Sequence, residues 1–148
     1  MSELPLPDVQ ADVPAEGLTI GQAASVLGLP METLRYYDRA GLMLDPTPRN
    51  VAGQRRYQRS DLGWIGGLVM LRETGMSIAD IRGVAEISRR SGTEAERLAV
   101  FEEHRRRVLE DLARTQLHLA AIDRKIAAYR AIVQKGTPAD ADSDQTAR

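Results

Sequence analysis

The stretch Glu32-Thr33-Leu34-Arg35-Tyr36-Tyr37-Asp38-Arg39, followed after a Pro- and Gly-bearing segment by Arg55-Arg56-Tyr57, decides the reading of this chain. The first string sets Arg beside Tyr on a short predicted helix. The second sets two Arg and a Tyr on the returning arm of a predicted hairpin. Arg supplies a planar fork that grips phosphate oxygens and guanine edges, and Tyr supplies a hydroxyl for a phosphate oxygen. A helix followed by a basic hairpin is the plan of a winged helix-turn-helix, which makes double-stranded DNA the leading ligand.

Before this helix, Thr19 and Gln22 make a capping-box pair, and Ile20, Ala23, Ala24 and Leu27 follow at helical spacing. Gly28 suits the left-handed residue that closes the first helix. Leu29 then turns into the core, and Pro30 stands near the first turn of the second helix, where a missing N–H costs nothing. Ala23 is small enough for the two helices to cross closely. The second helix stops at Gly41. Residues 42–58 set Pro46, Pro48, Asn50 and Gly53 between Leu42-Met43-Leu44 and Arg55-Arg56-Tyr57, the pattern of a hairpin with a long tip. An irregular loop is the plainer alternative. A third helix is expected from Ser60 as N-cap, with Asp61 in its first turn, through Leu62, Ile65, Leu68, Val69 and Leu71 to Gly75. Gly63, Gly66 and Gly67 each cost it about 1 kcal/mol against Ala and are read as permitting close helix approach. A fourth helix begins at Ser77 and buries Ile78, Ile81, Val84 and Ala85.

Thr93 and Glu96 form another capping-box pair. Behind them Leu98, Phe101, Arg105, Val108, Leu112, Thr115, Leu119, Ile122, Ile126, Tyr129 and Val133 alternate spacings of three and four. This is a heptad seam with Arg105 and Thr115 as polar interruptions. A helix from 93 to about 134 is roughly 60 Å long, whereas a globule of the preceding ~70 residues is only about 25–30 Å across. The seam therefore needs a partner, and a second copy of the chain is the simplest one.

With 148 residues and 43% hydrophobic content, the chain suffices for one small domain with a core and an accessory element. The net charge of −1 says nothing for nucleic acid, but between Met31 and Arg59 six Arg stand against three acids. A binding face can be basic on a molecule that is not. Cysteine is absent, which removes disulfides, thiolate metal sites and thiol redox sensing. No nucleophile–base pair, acid pair or phosphate loop is present, so neither an enzyme nor a cofactor is expected. His104 and His118 lack the companion ligand spacing of a metal site. Without a membrane-length apolar run or a basic-then-apolar N-terminal signal, a cytoplasmic location is expected. Residues 1–17 read as a disordered leader and residues 135–148 as a disordered tail.

Residues 18–88 resemble the N-terminal domain of MerR-type transcriptional regulators. The matching strings are Leu18-Thr19-Ile20-Gly21-Gln22-Ala23-Ala24, Thr33-Leu34-Arg35-Tyr36-Tyr37-Asp38, Gly41-Leu42, Pro48-Arg49, Gly53-Gln54-Arg55-Arg56-Tyr57 and Leu71-Arg72-Glu73-Thr74-Gly75-Met76-Ser77-Ile78. The helix at 93–134 resembles the family's dimerisation helix. The resemblance implies a mainly α fold: a winged helix-turn-helix domain followed by a long helix that forms an antiparallel coiled coil. It also implies a homodimer that binds promoter DNA in successive major grooves. Bending and untwisting the spacer then lets RNA polymerase read both promoter elements, a deformation that phosphate contacts must offset. Metal- and thiol-sensing members use cysteines, which this chain lacks. Drug-sensing members carry a large C-terminal domain, and the few residues after the long helix are too few to enclose a ligand. The effector stays open.

Within this frame Arg35 is expected to read bases and Thr33 to reach the groove from the first turn. Tyr36 resembles the phosphate-contacting tyrosine and Tyr37 is expected to pack, because helical neighbours point about 100° apart. Arg55 and Tyr57, two apart on an extended arm, are expected to share the DNA face with Arg56 opposite. Arg49 and Arg72 are expected to contact phosphate. The family usually has an aromatic at the position of Gln54, which leaves the packing of the wing tip open. Plainer alternatives are a salt bridge from Arg35 to Glu32 or Asp38, a merely solvated hairpin and an exposed helix arginine at 72. Trp64 is expected in the core, the alternative being the wall of a ligand pocket. For the whole chain, the alternative is a coiled-coil adaptor that keeps the fold without specific DNA binding.

Overall fold

The computed structural model describes residues 12–44 and 49–136. They form five helices, α1 (Ile20–Leu27), α2 (Met31–Arg39), α3 (Arg59–Glu73), α4 (Ile78–Arg89) and α5 (Glu94–Gly136). Among the described residues, β pairing is limited to two isolated antiparallel bridges, Leu18 with Tyr57 and Arg49 with Arg55. The mainly α winged helix-turn-helix plan is therefore present, and among the described residues the wing pairs with itself at Arg49 and Arg55.

Local chemistry explains the helix-turn-helix. Thr19 Oγ1 accepts the N–H of Gln22, and the Gln22 side chain accepts the N–H of Thr19 in return. Gly28 adopts φ 66°, which a side chain would resist, and Leu29 N–H then closes back on the Ala24 carbonyl at 3.0 Å. α2 follows at once, with Pro30 as its N-cap. Ala23 and Ala24 of α1 and Leu34 and Tyr37 of α2 turn into one core with Leu18, Leu42, Tyr57, Leu62, Ile65, Leu68 and Ile81. Trp64 packs at the edge of that core and its Nε1 donates to the Leu42 carbonyl at 2.7 Å, the role expected of it.

Several expectations need correction. α3 starts at Arg59, one residue ahead of the expected Ser60 cap, because Asp61 reaches back to accept the Gln58 N–H at 2.8 Å and makes Gln58 the N-cap. A Cβ added at Gly63 or Gly67 would meet nothing within 4 Å, so among the described residues these two glycines do not serve a close helix approach. The Thr93–Glu96 capping box does not form: Thr93 Oγ1 donates to the Ile87 and Arg90 carbonyls at 2.8 and 2.9 Å, while Glu96 pairs with Arg90. The first arm of the hairpin is Arg49, not residues 42–44, whose Leu42 and Met43 are buried in the core. Pro46 and Pro48, expected in the hairpin tip, lie outside the described residues. The last part of the expected leader, residues 12–17, is described and ordered against the domain. Val13 packs on the core and Gly17 N–H bonds to the Pro14 carbonyl at 2.8 Å. Residues 1–11 and 137–148, which hold the rest of the leader and nearly all of the expected tail, lie outside the described residues.

The chain divides into two compact units inside α5, after Arg105. In the first unit the buried His104 joins its Nε2 to Thr74 Oγ1 at 2.7 Å, so the start of α5 is bonded to the end of α3. The second unit is helix throughout its described part, to Gly136. Along α5, Leu98, Phe101, Leu112, Leu119, Ile122, Ile126, Tyr129 and Val133 are all exposed and Val108 is half-buried. Among the described residues no helix is long and apolar enough to cross a membrane.

Candidate nucleic-acid interface

At 100° per residue, α2 sorts its side chains cleanly. Leu34 and Tyr37 face the core, while Met31, Glu32, Arg35, Tyr36 and Arg39 are exposed and Thr33 sits half-buried on the flank. Arg35 and Arg39 are one turn apart and therefore neighbours. Arg35 Nη1 lies 2.5 Å from Glu32 Oε1, one of the plainer pairings considered above. Both partners are well exposed, and such a pair contributes at most about 1 kcal/mol. Arg35 can exchange this acid for a phosphate or a base edge at little cost.

The wing tip is held by a clasp of two amides. Asn50 N–H donates to the Gln54 carbonyl at 2.8 Å, Gln54 N–H to Asn50 Oδ1 at 2.9 Å, and Asn50 Nδ2 to Gln54 Oε1 at 3.1 Å. Gly53 turns the chain at φ 78°. Gln54 thus closes the turn by hydrogen bonding. Arg49 Nη1 donates to the Gly53 carbonyl at 2.7 Å, which leaves most of its fork outward. Arg55 forms an ion pair with Asp38, the two side chains 27% and 16% exposed, and so ties the wing to α2.

These elements enclose a cleft of about 390 Å³, lined by Ile20, Arg35, Arg39, Arg49, Gly53, Gln54 and Arg55. Four guanidinium groups around one opening outnumber the acids paired with them, Glu32 and Asp38. The opening therefore favours a polyanion.

The structure places the remaining expected site residues unevenly. Tyr36 is exposed. Tyr57 is not: at 1% exposure it lies in the core, and its enclosed hydroxyl makes no hydrogen bond of normal geometry. Burial pushes that hydroxyl up from the ordinary tyrosine range, opposed by nearby Arg55. Arg55 stays beside the Tyr57 hydroxyl, so what fails is the expected exposure of Tyr57: its bridge to Leu18 draws the end of the arm onto the core. Arg72 is exposed on α3 but does not line the cleft, and its Nη1 donates to the Met76 carbonyl at 3.1 Å. Burial likewise raises the Tyr37 hydroxyl, with the charge of Arg72 working against it.

Sequence reasoning missed Arg39, although its four-residue spacing from Arg35 was a usable signal. It also missed two arginines of α4 that brace the site. Arg89 donates to the carbonyls of Gly41, Met43 and Leu44, and Arg82 to that of Ala40. These bonds satisfy carbonyls at and just beyond the C-terminus of α2, where cations are favoured. No local pattern announces them, because the partners are more than 40 residues apart.

Residues 18–86 match the sequence profile of the MerR HTH family regulatory proteins. An uncharacterised HTH-type transcriptional regulator of Haemophilus influenzae is 36% identical over 113 residues, which span 76% of this chain and 83% of that protein. The chain belongs to the MerR family. A mercuric resistance operon regulatory protein of Pseudomonas fluorescens is 33% identical over 111 residues, 72% of this chain and 75% of that protein. Among solved structures, HiNmlR, a MerR family regulator lacking the sensor domain, bound to promoter DNA, has a TM-score of 0.74 at 35% identity, covering 80% of this chain and 94% of that one. A MerR family regulator from Listeria monocytogenes gives 0.73 at 30% identity, with coverages of 77% and 86%. Membership of MerR makes this chain a transcriptional regulator and not an enzyme.

Proposed function

We propose that this MerR-family regulator binds promoter DNA as a homodimer, with α2 of each copy in a major groove and the wing on the flanking phosphates. The observation that carries this reading is the cleft in which Arg35 and Arg39 of α2 meet Arg49 and Arg55 of the wing. In it Arg35 reads base edges, and Thr33 and Tyr36 contact the groove wall and backbone from the same helix. Arg39, Arg49, Arg55 and Arg72 neutralise phosphates. Tyr57 acts from inside, propping the arm that carries Arg55. Residues 18–88 serve DNA binding and residues 93–134 serve dimerisation, the two α5 helices pairing antiparallel through Leu98, Phe101, Val108, Leu112, Leu119, Ile122, Ile126 and Tyr129. Action on RNA polymerase by bending and untwisting the promoter spacer, and a cytoplasmic location, complete the reading, with family membership as their support. The likeness to a relative crystallised on promoter DNA supports the reading.

The test is a footprint of the full chain on the DNA upstream of its own gene, at two stated salt concentrations. Protection of an inverted repeat between widely spaced promoter elements is the expected result. Protection over a normally spaced promoter replaces the untwisting activator with a simple repressor, and no salt-sensitive protection at all removes the DNA-binding reading.

A further inference from the structure

We propose that Met31 reads the C5-methyl group of a thymine in the major groove, beside the base contacted by Arg35. The inference rests on the DNA-binding reading above and gives it a sequence preference.

Met31 is the first residue of α2, and first-turn side chains of a recognition helix reach base edges. Four residues of helix turn through about 400°, so Met31 and Arg35 lie about 40° apart on one stripe. Thr33 is about 160° from Arg35 on the same count, and is half-buried. Of the first-turn side chains Met31 is therefore the one nearest the stripe of Arg35, while Thr33 meets the groove wall from the flank. It is 44% exposed although its side chain is apolar. It also has a support: a Cβ at Gly21 would lie 3.8 Å from Met31 Sδ. The thioether sulfur thus sits beside the first turn of α1, while the residue as a whole stays exposed. Pro30, the N-cap, makes no side-chain bond ahead of it, and the acid of the first turn, Glu32, is drawn toward Arg35 rather than Met31.

Chemistry then selects the target. A thioether cannot donate a hydrogen bond and accepts one only weakly, so it gains little from a phosphate or from the donor and acceptor edges of guanine, adenine and cytosine. In the major groove the apolar group on offer is the thymine methyl. Methionine is unbranched and polarizable, and it adapts to such a surface without exact fit.

The test starts by selecting duplexes from a random library with the full-length wild-type chain. Each thymine of the enriched half-site is then replaced by deoxyuridine, which removes only the methyl. Affinities are measured for wild type, Met31→Ala and Met31→Leu. The expected result is one thymine per half-site at which deoxyuridine weakens wild type about fourfold, the factor that burying one methyl supplies. Met31→Ala should bind the thymine site more weakly and lose its sensitivity to deoxyuridine there, while Met31→Leu keeps most of it. Melting temperatures should match, because the side chain is exposed. The inference is overturned if Met31→Ala responds to deoxyuridine as wild type does at every thymine, or if wild type responds at none. A wild-type chain that enriches no sequence overturns both this inference and the DNA-binding reading, so the two failures are distinct.

Discussion

In the unit that ends at Arg105, Leu34, Leu42, Leu62 and Ile65 are at most 1% exposed, whereas in the helix beyond it Leu112, Leu119, Ile122 and Ile126 are 43–55% exposed. The first region has buried its apolar surface and turns arginines outward. The second has turned aliphatic side chains outward along one seam. Each lacks something different: the first is complete as a fold and short of negative charge, the second is short of another apolar helix. The surfaces proposed for a polyanion and for a second copy can be perturbed separately, and substitutions test that separation.

The largest effect should come from Leu119→Asp with Ile122→Asp. Sedimentation should show the mass falling from two chains to one, and operator affinity should drop about a hundredfold or more as bivalent binding is lost. Persistence of the dimer would mean that the seam is misplaced. Next is Tyr57→Ala, which empties a fully enclosed ring site and should cost about 3–5 kcal/mol of stability in urea unfolding. Arg35→Ala should leave stability near wild type, since only an exposed pair with Glu32 is lost. Its preference for specific over random DNA should fall by about 1–3 kcal/mol; equal losses on both would make Arg35 a phosphate contact only. Arg49→Ala should weaken binding evenly across sequences and reduce the slope of log affinity against log salt by about 1. The smallest effect is reserved for Tyr57→Phe. Its hydroxyl is enclosed without a well-formed bond, so removing it should change stability by less than about 1 kcal/mol and leave DNA affinity unchanged. A tenfold loss of affinity would return that hydroxyl to the DNA face.

What was legible in the sequence is what local chemistry controls. The Thr19–Gln22 box, Gly28 and the division of labour between Tyr36 and Tyr37 follow from spacing within one helix, and α5 follows from its heptads. What escaped depends on partners far along the chain. Tyr57 reads as a solvent-facing wing residue until Leu18, 39 positions earlier, captures it as a bridge partner. Arg89 reads as one more surface arginine until the carbonyls at the root of the wing arrive beside it. Gln58 and Thr93 show a subtler failure. In the first case a competing acid moved the cap by two residues; in the second, competing carbonyls took the Thr93 hydroxyl although the helix still begins directly after it.

The Leu18–Tyr57 bridge has a consequence for how such regulators can be recombined. The two residues exchange N–H to carbonyl bonds in both directions, each 2.8 Å, so the stretch holding α1, α2 and the wing begins and ends at one point in space. A segment whose ends already touch can be lifted from one scaffold and set into another with two adjacent joints and no change in the spacing of the host. Residues 18–57 form such a cassette, and exchanging it between relatives transfers α2 together with its wing while leaving α5, the proposed dimerisation helix, untouched.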